Sequence, residues 1–202
     1  MRFSRAIFTA AALSLAAVPA FAQDEPDPTI APSGEYVTDS GHAYITFSYL
    51  HQGYSRPFLR WGEWTGTLDW NADAPSESSV DVNIVAASID SGVEKFDDHL
   101  KSADFFEVET YPSITFKSSQ IKTTGPTTGE MTGVLKIKDQ EKPVTLDVTF
   151  NRAGETQNGG HKIGFSARGQ VKRSDFGVDK YVPFVGDDVD LIIEVEFEKP
   201  QA

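Results

Sequence analysis

In "EKPVTLDVTF", residues 141 to 150, Val144, Leu146, Val148 and Phe150 alternate without a break with Thr145, Asp147 and Thr149. Period two is the geometry of a β-strand, whose successive side chains point to opposite faces. One apolar and one polar face place that strand in an antiparallel sheet wetted on one side. The same period recurs in seven further stretches. Ala43, Ile45, Phe47 and Tyr49 share a face, as do Trp64, Gly66, Leu68 and Trp70, and then Val80, Val82, Ile84 and Ala86. Ile114 and Phe116 follow, then Met131, Gly133, Leu135 and Ile137. Ile163, Phe165, Ala167, Gly169 and Val171 precede the final set, Val189, Leu191, Ile193, Val195 and Phe197. Polar links at 139–142 ("DQEK") and 151–161 ("NRAGETQNGGH") predict hairpin turns. Eight one-sided strands in one domain predict an all-β sandwich or closed barrel.

One stretch departs from this period. In "SIDSGVEKFDDHLKSADFFEVETYPSITFKS", 88 to 118, Ser91 and Glu94 have the spacing of a helix capping box. Val93, Phe96, Leu100 and Ala103 fall at helical spacing on one side, with Asp97, Asp98 and Lys101 mainly on the other. The pattern predicts one short helix leaning on the sheet, ended before Tyr111-Pro112 restarts an extended chain.

The chain opens with Arg2 and Arg5, an apolar run from Ala6 to Val18, and Ala20-Phe21-Ala22. This is the layout of a secretory signal peptide (1–22) cut after Ala22, with an apolar run too short to span a membrane. Residues 23–34 are acidic and proline-rich and read as a flexible leader; 35–202 are the domain. Loss of the two leader arginines takes the formal net charge from −12 to −14. Such a surface repels phosphate backbones, so nucleic acid is excluded as a partner class. The chain has no cysteine, hence no disulfide, thiolate metal site or thiol chemistry.

The apolar face carries small residues: Ala43, Gly66, Ala86, Gly133, Ala167 and Gly169. An eight-stranded barrel either fills its interior with side chains or keeps room for one ligand. Small inward residues leave room, although each glycine could equally mark a bulge or a bend. No charged residue falls at an inward position of these segments, so such a cavity is apolar. At about 0.8 kcal/mol per CH₂, one five-carbon prenyl unit contributes on the order of 4 kcal/mol on burial. A few units bind tightly without an ion pair.

The 88–118 segment resembles the signature of the YceI-like family of periplasmic lipid-binding barrels. "LKIKDQEKPVTLDVTF" (135–150), "RSDFGV" (173–178), "DVDLIIEVEFE" (188–198) and "HAYITFSYLHQGYSRP" (42–57) extend the resemblance from about residue 36 to the end. Two departures are Lys138-Asp139-Gln140, where the family often has a His-Gly turn, and the aromatic-rich Trp61-Gly62-Glu63-Trp64. The resemblance implies a lipocalin-like eight-stranded antiparallel β-barrel around a long apolar pocket. It further implies a periplasmic location and a polyisoprenoid, isoprenoid quinone or similar long-chain amphiphile as ligand. No further cofactor is implied, no integral membrane segment, and a homodimer is compatible.

On the alternation, the pocket wall comprises Phe47, Trp64, Leu68, Ile84, Ala86, Phe116, Leu135, Leu146, Phe165, Gly169 and Leu191, with Phe105 and Phe106 near one end. His51, His99, Arg173 and Tyr181 are candidate head-group contacts. The long link holding Arg173, Asp175 and Tyr181 suits a flap over the barrel, or equally a surface salt bridge. The four histidines show no HxH, HxxxH or HExxH spacing, so no metal site is expected. In the bland reading of Asp97-Asp98-His99, His99 bonds a loop carbonyl and holds the "DFF" corner. Two other functions compete with lipid binding. A hydrolase or isomerase acting on the lipid needs a polar pair in the cavity, with His99 or His51 as base. A scaffold needs a filled interior and an exposed patch at Trp61/Trp64.

Overall fold

The computed structural model describes residues 26–199, and there the alternating stretches pair into one antiparallel sheet that closes on itself. Its strands are β1 (Gly34–His51), β2 (Phe58–Trp61), β3 (Trp64–Trp70), β4 (Ser79–Val85), β5 (Ile89–Asp90), β6 (Ser113–Thr123), β7 (Thr128–Ile137), β8 (Gln140–Glu155), β9 (His161–Lys172) and β10 (Val185–Lys199). Helix α1 (Glu94–Lys101) lies between β5 and β6. The ladder runs from β10 through β9, β8, β7, β6, β4 and β3 to β1, and β1 pairs back to β10. This is the expected eight-stranded barrel with one short helix; β2 and β5 form a small extension on the free edge of β1.

β1 makes that arrangement possible by changing partners. One edge follows β10, while the other pairs with β3 through Gly34–Val37 and with β2 through Ile45–Ser48. Where the partner changes, Thr38↔Phe197 is followed on the β10 ladder by Ala43↔Val195, so residues 39–42 bulge out. Bulges bend and twist a strand. Past this bulge, Ala43 stands opposite Val195 on the same face as Ile45 and Phe47. Asp39, His42 and Glu196 approach within 4.8 Å at the bulge, and the cation among them is Lys162. Its Nζ lies 2.8 Å from Asp39, 2.7 Å from Glu196 and 3.0 Å from Glu198. Hydrogen bonds from Lys162 and then His42 hold the Asp39 carboxyl well below the usual carboxylate range.

Two apolar clusters occupy the ends of the barrel. The larger gathers Ile45, Phe47, Leu59, Trp61, Leu100, Phe105 and Phe176 under α1; the smaller holds Ala31, Tyr36, Leu68, Trp70, Phe150, Ile163 and Phe197. Residues 28–34, expected as part of a flexible leader, are instead fastened to the barrel, with Ala31 in the smaller cluster. Pro28–Ile30 form a 3₁₀ turn with Asp27 accepting from the Thr29 N–H, Ala31 is fully buried, and the Tyr36 hydroxyl donates to the Pro32 carbonyl at 2.7 Å. Composition reports the polar majority of that stretch and overlooks one small residue that fits a socket. The proposed signal peptide, 1–22, lies outside the described residues.

Helix α1 differs at its start. Val93 is the N-cap without a side-chain cap, and Ser91 donates from its N–H and hydroxyl to Asp97 Oδ1 at 2.8 and 2.5 Å. The Ser91–Glu94 capping box therefore does not form, because Ser91 lies two residues ahead of the cap. Leu100 is buried and Phe96 half-buried, whereas Val93 is exposed and Ala103 lies beyond the helix end, exposed.

The β8–β9 turn is 156–160, shorter than the expected 151–161 link. A register break between Phe150 and Arg152 lets β8 continue and brings Ala153 into the smaller cluster. Gly169 leaves no room, since a Cβ there would stand 2.5 Å from Leu146 Cδ2 and 3.2 Å from the Thr145 carbonyl. At Gly133 the Phe116 ring lies across the backbone, an aromatic covering a strand glycine.

Gly133→Ala places a methyl against Phe116 and 2.5 Å from the Lys117 carbonyl oxygen. It is expected to cost about 1–3 kcal/mol, read as a lower denaturant midpoint. Gly169→Ala, which meets the end of a leucine, is expected to cost less. Asp39→Asn tests the bulge clasp. Because the folded carboxyl titrates below its unfolded value near 4, its contribution is present above that pH and is lost as pH falls towards the folded value. The variant is expected to be about 1 kcal/mol less stable than the parent at neutral pH, a gap that closes on acidification below about pH 4. A gap independent of pH contradicts the assignment.

Candidate functional site

Because the inward residues of the middle strands are aliphatic and the bulky aromatics collect at the ends, the barrel keeps a cavity of about 1350 Å³. Small-molecule sites commonly enclose ~300–1,000 Å³, so this one suits something longer than a compact metabolite. It runs from Pro28, Trp70 and the β6–β7 hairpin (Thr123–Glu130) at one end to α1, residues 49–55 and residues 180–186 at the other. Of the expected wall residues, Phe47, Trp64, Leu68, Ile84, Phe105, Phe106, Phe116, Leu135, Leu146, Phe165 and Leu191 line it.

Ala86 and Gly169 do not line it. Ala86 begins a 3₁₀ turn (Ala86–Ser88) where β4 has ended; its N–H donates to the Pro112 carbonyl at 2.9 Å, and the residue packs into the larger cluster. At Gly169 the space is taken by Leu146. The lining also includes Tyr49, Leu59, Trp61, Val148 and Ile193, which are not among the expected wall residues. Val148 and Ile193 lie on the same alternating faces and were legible there. Trp61 was not, since only the β1–β2 pairing shows that it faces inward with Ile45. It packs against Phe47 and Phe106 with ring centroids 5.8 and 5.1 Å away.

The polar candidates gather at the α1 end, where His51, His99, Arg173 and Tyr181 all reach the cavity lining. Arg173 is held by the chain. Its Nε donates to the Gly186 carbonyl, Nη1 to those of Val178 and Lys180, and Nη2 to that of Val185, at 2.6–3.0 Å. Burial pushes its pKa down, opposed by the charges of Asp187, Tyr49 and Asp179. The Tyr49 hydroxyl is pushed up by burial, with Arg173 opposing. One guanidinium thus organises the 178–186 link, neither a surface salt bridge nor a free anion receptor.

His99 meets a carboxylate instead of the expected carbonyl: Nε2 lies 3.2 Å from Asp104 Oδ2, and the ring stands edge-on to Phe105 with centroids 5.0 Å apart. Asp104 also accepts from Lys180 at 3.0 Å, and these two partners hold its carboxyl below the usual range. The Asp97-Asp98-His99 triplet does not converge, because Asp97 is engaged by Ser91. This corner is an ion-paired fastening between α1 and the 178–186 link. It does hold the "DFF" turn.

A family model of the YceI-like domain matches residues 36–197. A UPF0312 protein of Azotobacter vinelandii is 36% identical over 166 residues, covering 81% of this chain and 86% of that protein. The crystal structure of Burkholderia cenocepacia BcnA superposes with a TM-score of 0.72 at 24% identity, covering 79% of this chain and 98% of that one. A polyisoprenoid binding domain from Saccharophagus degradans, implicated in plant cell wall breakdown, superposes with a TM-score of 0.65 at 11% identity, covering 84% and 100%. These two likenesses are likenesses of fold.

Arg173→Met removes the donors to four carbonyls at once. It is expected to lower stability by about 2–4 kcal/mol and to speed amide exchange in 178–186 beyond the rest of the barrel. Arg173→Lys is expected to recover only part, because an ammonium cannot reproduce the fork. Uniform exchange across the molecule contradicts this role.

Proposed function

The chain belongs to the YceI-like family, and from that premise we propose that it is an exported, periplasmic binding protein for long-chain isoprenoid-type lipids, polyisoprenoids or prenyl quinones. The observation that carries the reading is the cavity, about 1350 Å³, continuous along the barrel and apolar through its middle. Each prenyl unit buried there contributes on the order of 4 kcal/mol. Three or four units offset association costs of ~4–15 kcal/mol without help from charge. The polyisoprenoid-binding neighbour supports the same ligand class. Among the described residues no helix is long and apolar enough to cross a membrane.

In this reading the eleven expected residues that line the cavity grip the tail, together with Trp61, Val148 and Ile193. His51, His99 and Tyr181 stand where a head group emerges. Arg173 has at most one of its five N–H groups left for a ligand, so its part is to shape the opening. No cofactor beyond the lipid is proposed. The hydrolase or isomerase reading has a His99–Asp104 pair, but it is half exposed and shared with Lys180, which suits an ion-paired fastening better than a general base. The scaffold reading fits less well, because the interior is not filled and Trp61 is buried, not part of an outer patch.

Val148→Trp tests the assignment of the interior. In a packed core the added bulk would cost about 1–3 kcal/mol; in a cavity it is expected to leave the unfolding midpoint of the lipid-free protein nearly unchanged. Affinity for a long prenyl quinone, followed by quenching of tryptophan fluorescence on titration, is expected to fall at least about tenfold. Lost stability with affinity intact places Val148 in a packed layer and removes this reading.

A further inference from the structure

The cavity's α1 end carries a second, outward feature. Tyr54 and Phe184 line the cavity yet are 88% and 80% exposed, and Tyr181 and Leu50 are likewise both lining and exposed. A residue with both properties stands on a rim, one side towards the interior and the other towards solvent. Two loops build this rim, and they are fastened to each other: His51 pairs with Val185, and Gly186 abuts the Leu50 backbone, where an added Cβ would stand 3.0 Å from the Leu50 carbonyl. The Arg173 hydrogen bonds hold the second loop from behind. The exposed aromatics are therefore held out into water by a hydrogen-bonded frame.

Charge is distributed to match. The chain has 30 acidic residues in 202, yet none lies between Asp39 and Glu63, or between Asp179 and Asp187. Both rim loops fall in these acid-free windows. Each carries one cation beside its aromatic tip: Arg56 near Tyr54, and Lys180 next to Tyr181. Both are about half exposed and ion-paired at the surface, Arg56 to Asp190 at 2.6 Å and Lys180 to Asp104 at 3.0 Å, weak pairs for which a phosphate can compete. Exposed aromatic rings beside half-exposed cations are the complement of a phospholipid surface, with rings at the acyl boundary and cations at the phosphates.

We propose that this rim docks on a phospholipid bilayer, seating the cavity mouth against the membrane so that an apolar ligand enters or leaves without crossing water. The partner is the bilayer surface itself. The purpose assigned to docking rests on the lipid-binding reading above; the docking can be measured without it. The strong net negative charge elsewhere makes the contact shallow and reversible, and stronger on zwitterionic than on anionic vesicles at low salt.

The test uses residues 23–202, which retain the whole described barrel, and a Tyr54→Ser/Phe184→Ser double variant, whose changes fall on exposed side chains. Lipid-free protein is floated with phosphatidylcholine vesicles, and transfer of a prenyl quinone out of those vesicles is timed. The parent is expected to co-float. The double variant is expected to lose at least about tenfold in vesicle partition and to extract quinone slower by a similar factor. Its quinone affinity, measured with quinone added from dilute ethanol in the absence of vesicles, is expected to fall several-fold less than its vesicle partition, because both rings are mostly in water. A parent that does not co-float, or a double variant that floats equally well, overturns the proposal. So does a parent dimer that the double variant dissolves without any flotation, since the rim then belongs to a second copy. A parent that floats but binds no quinone leaves docking standing and removes the lipid-binding reading instead.

Discussion

The hydrogen-bonded ladder between β1 and β10 is the constraint on which the rest of the molecule depends. Without it the eight strands are an open sheet with two bare edges and an apolar face turned to water. With it the same alternation becomes an inside and an outside, and the number of strands sets the width of the inside. Closure also forces β1 to bend, because its free edge serves β3 in its first half and β2 in its second. The 39–42 bulge takes up that bend, and Lys162 fastens it with two acids from β10 and one from β1.

Closure alone does not make a cavity. The inward side chains must be too small to meet across the axis, and the ends must be stopped. Here the middle is aliphatic while the large rings gather at the ends. At the end formed by residues 28–34, Phe165 stands within 5.8–6.3 Å of Phe150, Trp70 and Phe197. The other end is stopped differently, by α1, an ion-paired corner and a link tied to one guanidinium. An end made of packed rings is rigid and dry, whereas an end made of loops and exposed pairs has lower local stability and can open. On the proposed lipid-binding reading, this asymmetry turns the tail towards the rings and the head group towards His99 and Tyr181.

Much of this was legible in the alternation. Any strand that keeps its period declares which residues face in, and nine of the eleven wall residues expected from the alternation do line the cavity. Where the period breaks, local reading fails for a physical reason. Ala86 continues the rhythm of β4 on paper, but the strand has already turned into a 3₁₀ turn bonded to Pro112, and that bond comes from a distant segment. Gly169 is small and inward, but whether its space is empty depends on the neighbouring strand, and Leu146 claims it. The helix was readable from its spacing, but its cap was not, since Asp97 competes for the same serine. Likewise, Arg173 is conspicuous in sequence, and only the fold reveals that four of its hydrogen bonds go to backbone carbonyls.

The central claim is that the empty middle of the barrel is occupied, in the native setting, by one long apolar molecule. The most direct measurement is mass spectrometry of an organic extract of the protein purified from its own host without detergent, with ligand quantified against protein. The account predicts close to one equivalent of a long-chain prenyl species per barrel. Folded, pure protein whose extract holds no such species, and which takes up none when offered polyprenols and prenyl quinones, would contradict it.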